Sequence, residues 1–237
     1  MEKVIHRSES RGFADHGWLR TFYTFSYGSY YDPRRINFGA IRVINDDEVL
    51  GGEGFSSHPH DNIEIVYIPL EGMLEHGDNM GNIISVGKGD VQVISSGTGI
   101  VHNEYNKSLT DPAKYIMVWV FPREYDLAPA YMKARMPEPV DNQFRLFVSP
   151  EGGENGVSIN QDAWFHLATI EEGRELVYTL HNSDQDGVYV FVVEGDIEID
   201  GTALGERDGI GITGTDYVTI KALSQANILL IEIKMKR

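Results

Sequence analysis

GEGFSSHPHDNIEIVY (52–67) and GDVQVISSGTGIVHNEY (89–105) are the stretches on which the reading of the fold turns. In the first, His58 and His60 stand two apart, and Ile63, Ile65 and Tyr67 follow at the alternate spacing of a half-buried strand. Alternate residues of a strand share a face, so both imidazoles point the same way. In the second, His102 and Glu104 repeat the i, i+2 spacing just after the glycine turn SSGTG. Two such pairs on neighbouring strands can close on one metal ion. Three neutral imidazole nitrogens and a carboxylate suit a divalent first-row metal and leave positions free for water or substrate. A lone His-x-His is weak evidence, but Gly-x-Gly-x-x-His-x-Glu at the distance of one sheet crossing makes the pairing specific.

Local chemistry supports the arrangement. Pro59 fixes its own φ and biases His58 toward an extended backbone, and Gly97 and Gly99 allow a tight turn before His102. Glu64, four residues after His60, has the parity to share its face, so spacing alone leaves the carboxylate ligand open between Glu104 and Glu64. His76 falls at an expected strand end and reads as a satisfied or exposed histidine. His16 is too remote to include.

Outward from the two motifs, the start of the chain gathers Trp18, Phe22, Tyr23, Phe25, Tyr27, Tyr30 and Tyr31, a cluster better read as core than as a stacking platform. From Phe38 strand patterning sets in, with a turn expected at 44–48 (INDDE). YIMVWVF (115–121) is the continuous apolar run of a fully buried strand. REYDLAPAYMKARMPEPV (123–140), with three prolines, reads as a linker with a short helix at AYMKAR (130–135). Beyond it the chain repeats itself in order. VFVVEGDIEIDG (190–201) echoes VYIPLEGMLEHGD (66–78), GERDGIGI (205–212) echoes GKGDVQVI (87–94), and NILLIEI (227–233) echoes YIMVWVF. The second copy lacks the chemistry: His181 is followed two residues on by Ser183, and ITGTDYVTI (212–220) holds no imidazole. His166 and His181 therefore read as structural or surface residues.

At 237 residues with 41% hydrophobic content, the chain can build one large β domain or two small ones. Its 25 glycines and turn-rich punctuation between short Val, Ile and Tyr runs predict many strands and little helix. A formal charge of −16, with no basic patch, argues against binding nucleic acid or anionic lipid. Without cysteine there is neither disulfide nor thiol chemistry. No signal-like or membrane-spanning apolar run is visible, so the expectation is a cytoplasmic protein.

The two opening stretches resemble the first and second cupin motifs. HPH with SSGTGIVHNEYN resembles, more narrowly, the pirin family of two-cupin proteins. RGFADHGWLRTFYTFSYGSYYDP (11–33), LEGMLEHGDNMGN (70–82) and FVSPEGGENGVSINQDAWFHLA (147–168) extend the resemblance over almost the whole chain. It implies an all-β fold of two tandem cupin (double-stranded β-helix, jelly-roll) domains with minor helix. Residues 1–125 would carry the metal site, and 126–237 the linker and a second cupin without ligands. It implies a ligand set of His58, His60, His102 and Glu104, with Glu104 also the proton acceptor and Glu64 in reserve. The cofactor implied is one divalent transition metal ion, iron first, with manganese, cobalt, nickel, copper and zinc compatible. The activity implied is a dioxygenase that opens flavonols such as quercetin with O2. The alternative is a metal-binding regulatory protein that partners a transcription factor or a metabolic enzyme. Asp61 and Asn62 follow HisProHis where family members often carry a basic residue, which alters the charge at the rim.

Overall fold

The computed structural model describes residues 1–153 and 156–236. Among them, regular structure is strand throughout apart from a single 3-10 turn at Ser8–Ser10. No described helix is long and apolar enough to cross a membrane. The first strands are β1 (Glu2–His6), β2 (Gly12–Asp15), β3 (Leu19–Tyr23), β4 (Ile41–Val49), β5 (Gly54–His60) and β6 (Glu64–Glu71). Next come β7 (Met73–Asp78), β8 (Ile83–Gly87), β9 (Asp90–Ser95), β10 (Ile100–Asn106), β11 (Ala113–Val120) and β12 (Ala130–Arg135). The second half adds β13 (Arg145–Ser149), β14 (Val157–Ser158), β15 (Ala163–Ile170), β16 (Glu175–Thr179) and β17 (Asp186–Glu194). It closes with β18 (Ile197–Ile199), β19 (Thr202–Leu204), β20 (Gly209–Thr213), β21 (Tyr217–Ala222) and β22 (Ala226–Lys234).

These strands form two units with the same layout. In the first, a seven-stranded sheet ordered β12-β9-β6-β11-β4-β3-β2 faces a four-stranded sheet ordered β5-β10-β7-β8. In the second, the orders are β1-β20-β17-β22-β15-β13-β14 and β16-β21-β18-β19. Place for place the two lists correspond, as expected of a duplicated two-cupin architecture, except at the last edge, where β2 runs antiparallel to β3 but β14 parallel to β13. Each large sheet also takes an added edge strand: β1, at the start of the chain, pairs with β20, and β12, within the 123–140 segment, pairs with β9.

Alternation along the strands divides the apolar residues among three cores. In β11, Tyr115 and Met117 face the interior of the first barrel. Ile116 and Val118 face the other way, into a cluster shared with Phe165, Phe191, Leu229 and Ile231 of the second unit. The second barrel has its own interior, including Val190, Ile199, Ile220 and Leu230. Strands buried on both faces read as continuous apolar runs, which accounts for YIMVWVF. Each such side chain contributes about 1.5–3 kcal/mol by leaving water.

Two expectations fail in instructive ways. AYMKAR is strand β12, not helix: it pairs with β9 from Ala130↔Ser95 to Arg135↔Asp90, and Lys133 reaches Asp90 at 2.9 Å. Helix-forming residues are overridden here by an open sheet edge that supplies every ladder partner. The expected turn at 44–48 is the middle of β4, hydrogen-bonded to β3 on one side and β11 on the other. Asn45 and Asp47 turn into the barrel, at 1% and 3% exposure, while Asp46 and Glu48 face the other way.

Candidate metal centre

β5 and β10 are antiparallel, with His58 opposite His102 and His60 opposite Ile100. That register brings three imidazoles together: ring centroids lie 4.4 Å apart for His58 and His102, 4.8 Å for His58 and His60, and 4.9 Å for His60 and His102. Donor atoms of the three lie within 4.8 Å of one another. The turn before β10 depends on Gly97, whose φ is +46° and where a Cβ would overlap the Leu127 carbonyl. The approach of β5 to β10 depends on Gly54, since a Cβ there would overlap the Glu104 carbonyl oxygen.

A shift in register between His102 and Glu104 re-aims the carboxylate. Glu104 groups not with His58 and His60 but with His102 and His76, its Oε1 lying 3.4 Å from His102 Nδ1. Glu64 is drawn elsewhere. The chain turns at Asn62, with φ +47°, so the parity counted from His60 does not carry across. Glu64 Oε2 instead accepts hydrogen bonds from Ser95 Oγ at 2.6 Å and the Asn160 backbone N–H at 3.2 Å.

Hydrogen bonds set the tautomers. The Ser56 carbonyl can only accept, so His58 Nδ1–H donates to it at 2.8 Å and leaves Nε2 as the free lone pair. Asp78 accepts from the Met80 N–H, the Asn82 N–H and Asn82 Nδ2, which keeps it an ionised acceptor. His76 Nε2–H therefore donates to Asp78 at 2.8 Å. Neutral His76 is left with Nδ1 as an acceptor, 3.4 Å from His102 Nδ1. His102 donates there, and its Nε2 lone pair is free. This Asp78–His76–His102 chain is the kind of outer support that orients metal-binding imidazoles. His76, expected to be satisfied or exposed, is satisfied and buried. Its role was hidden because it belongs to neither motif, although i, i+2 spacing to Asp78 was legible.

Electrostatics favour neutral imidazoles and a costly carboxylate. Burial, then the neighbouring His58, lowers the pKa of His60 to about 4, and burial with the other imidazoles lowers that of His102 to about 3. Burial raises Glu104 to about 8. His102 Nε2 and Glu104 Oε1 are buried without a hydrogen-bond partner. Buried polar atoms left this way mark a place for a water or an ion. A divalent cation would satisfy both, so the residues fit a metal.

The centre opens onto two spaces. A chamber of about 110 Å³ lies against His58, His60, Glu104, Asn45 and Asp47. An open cleft of about 540 Å³ lies outside, along Arg42, His60, Asp61, Trp119 and Tyr125. Tyr23 and Tyr27 of the aromatic cluster line the chamber, Phe25 joins the shared core, and Phe22 and Tyr31 are exposed. His16 is exposed near the β2–β3 turn. In the second unit, His181 stacks on Trp164 at 4.1 Å and pairs with Glu232, and His166 is buried against Phe144 and Tyr178.

Two barrels of matching strand order, with converging imidazoles and a carboxylate in one of them, define a two-domain cupin. Residues 5–120 match the pirin family, and residues 146–233 match the quercetinase C-terminal cupin domain. The chain is 35% identical over 229 residues to the quercetin 2,3-dioxygenase of Escherichia coli strain K12, covering 97% of each. It is 37% identical over 225 residues to a pirin-like protein of Caulobacter vibrioides, covering 93% of this chain and 95% of that one. The structure of the bacterial pirin YhhW from Escherichia coli in complex with nickel(II) superposes with a TM-score of 0.92 at 33% identity, over 98% and 99% of the two chains. The chain belongs to the pirin family.

Proposed function

We propose that the protein is a metal-dependent dioxygenase that opens flavonols such as quercetin, with one divalent transition metal ion held by His58, His60, His102 and Glu104. The observation that carries this reading is the pair of unpartnered buried donors, His102 Nε2 and Glu104 Oε1, beside two further imidazoles at the meeting of chamber and cleft. The name of the Escherichia coli relative supports the substrate class, and the nickel in YhhW supports a divalent first-row ion. Iron leads the candidates for this chain, and the donor set also accepts nickel. Division into a metal-bearing 1–125 and a ligand-free 126–237 belongs to the same proposal.

When bound, the metal supplies Lewis acidity that lowers the pKa of a flavonol's enolic hydroxyl. Glu104 would accept that proton on its buried carboxylate. Asp78, through His76, keeps His102 in the tautomer that presents Nε2. Trp119 packs edge-on against His60 at 4.9 Å and lines both the chamber and the cleft. In the overall reaction both atoms of O2 enter the ring-opened ester acid and one ring carbon leaves as carbon monoxide.

The test is an anaerobic titration of metal-loaded protein with quercetin, followed by admission of O2. The expected result is a shift of the flavonol absorbance on binding, then its loss with one carbon monoxide released per flavonol. Glu104→Gln should slow that loss by about 10²–10⁴-fold. Binding without oxygen-dependent loss would move the reading to a metal-binding regulatory protein. Metal lost from Glu64→Gln but kept by Glu104→Gln would overturn the ligand set.

A further inference from the structure

The wall of the chamber opposite the imidazoles carries polar residues that neither motif contains. Thr21, Asp47 and Tyr115 are cross-strand neighbours on β3, β4 and β11, and Asn45 lies two residues from Asp47 on the same face. Thr21, Asn45 and Asp47 are each at least 97% buried, yet Thr21 Oγ1, Asn45 Oδ1 and Asp47 Oδ1 lack a hydrogen-bond partner. Such atoms are rare inside a protein unless something fills the space in front of them. All three residues line the chamber that His58, His60 and Glu104 also line.

We propose that Thr21, Asn45 and Asp47 form a subsite that reads hydroxyl groups on the ligand held at the metal centre, so that the substrate class is a polyhydroxylated ring compound. The inference rests on the flavonol reading above. Two carbonyl-type oxygens side by side, with a hydroxyl beside them, complement O–H donors. Size sets how such a ligand lies. Drug-sized ligands occupy pockets of about 300–1,000 Å³, and the chamber offers only about 110 Å³, room for roughly three or four water-sized groups. Only a hydroxyl-bearing edge enters, and the remainder lies in the 540 Å³ cleft. His60 and Trp119 line both spaces, so a flat molecule spans them past the metal centre. A site built to bond hydroxyls rejects an analogue lacking them far more strongly than an apolar pocket rejects an added one.

The experiment compares anaerobic dissociation constants of metal-loaded protein for quercetin and for 3-hydroxyflavone, which keeps the metal-facing hydroxyl and carbonyl but no other hydroxyl. The native protein should prefer quercetin by tenfold or more. The Asn45→Leu/Asp47→Leu double variant should lose that preference while retaining its metal and its affinity for 3-hydroxyflavone. Thr21→Val, nearly isosteric, should reduce the preference severalfold and serves where the double variant does not fold. Equal affinity of the native protein for both ligands, or a preference that survives in the variants, overturns the subsite and assigns the chamber to water alone. Binding of neither flavonol overturns the flavonol reading itself, and this inference with it.

Discussion

The two barrels share a strand order and differ in what fills them. The glycines that begin the β6–β7 and β17–β18 turns, Gly72 at φ +69° and Gly195 at φ +80°, align the copies. Two and four residues on, the first copy has Leu74 and His76, and the second Ile197 and Ile199. Across the sheet, Glu104 faces His76, whereas Ile220 faces Ile199. His102 faces His58, whereas Val218 faces Tyr178. The positions of the imidazoles and Glu104 in one barrel are taken in the other by Ile199, Val218, Ile220 and the aromatic Tyr178. The opposite wall changes likewise: Tyr115 pairs with Asp47, and its counterpart Ile228 pairs with Ala168.

Polar atoms do remain inside the second barrel, and the group around Glu232 is answered, while His166 Nδ1 and Asp186 Oδ1 keep no partner. Glu232, fully buried, accepts from Tyr178 Oη at 2.6 Å, from His181 Nδ1 at 2.7 Å and from the His181 N–H at 2.7 Å. In the first barrel His102, Glu104, Thr21, Asn45 and Asp47 all keep an unanswered atom. A closed network holds a fold together, and an open one is arranged for something that arrives later.

The largest effect expected from this difference is on metal content. His58→Ala/His102→Ala should take the protein from about one equivalent of metal per chain to none by elemental analysis. His166→Ala/His181→Ala, in the other barrel, should leave it unchanged. Two equivalents in the native protein would break the comparison. His76→Ala, which removes only the support behind His102, should weaken metal affinity by about 10–100-fold.

The histidine motifs and the duplication were legible because each is local. His-x-His and His-x-Glu declare their common face by spacing, and the Glu-Gly turns mark the copies. What escaped depends on pairing. NILLIEI echoes YIMVWVF as text, but the ladders set Lys114 against Glu71 and Asn227 against Glu194. The true alignment is therefore one residue away, and one residue in a strand exchanges the faces. Asn45 and Asp47 looked like a turn because polar residues usually leave a core. Val43, Asn45, Asp47 and Val49 nonetheless share one parity, the signal that they line a barrel. β12 could not be read as a strand from composition, because its stability comes from the edge of β9.

A smaller effect separates closed from open polar groups by stability of the metal-free protein. Glu232→Gln weakens hydrogen bonds to a buried charge, each worth about 1.5–3 kcal/mol, and should lower Tm by about 2–4 °C per kcal/mol for a chain of this size. Glu104→Gln removes a buried carboxylate whose Oε1 has no partner and should leave Tm unchanged or raise it. Equal losses in both variants would sink the distinction drawn between the barrels.

The smallest effect, and the sharpest in form, concerns Asp47 and pH. Burial raises its pKa from the ordinary 3.8 to about 7. Between those values the native state still holds the proton that the unfolded chain has released, so the native state binds more protons and stability falls as pH rises. Below about 4 both states are protonated and the group contributes no slope; above about 7 the penalty is complete. Asp47→Asn carries no ionisable group at this position and escapes the penalty. Other buried groups titrate nearby, among them His6, lowered to about 4, and Asp186, raised to about 6. The difference between variant and native Tm isolates Asp47 from them. In metal-free protein that difference should favour the variant increasingly from pH 4 to pH 7 and then level off. The matching substitution in the second barrel, Ala168→Ser, adds no charge and should show no pH-dependent difference. A native-minus-variant difference that stays flat across the range would mean that Asp47 is ionised at no cost, and so that the first barrel answers its polar wall after all.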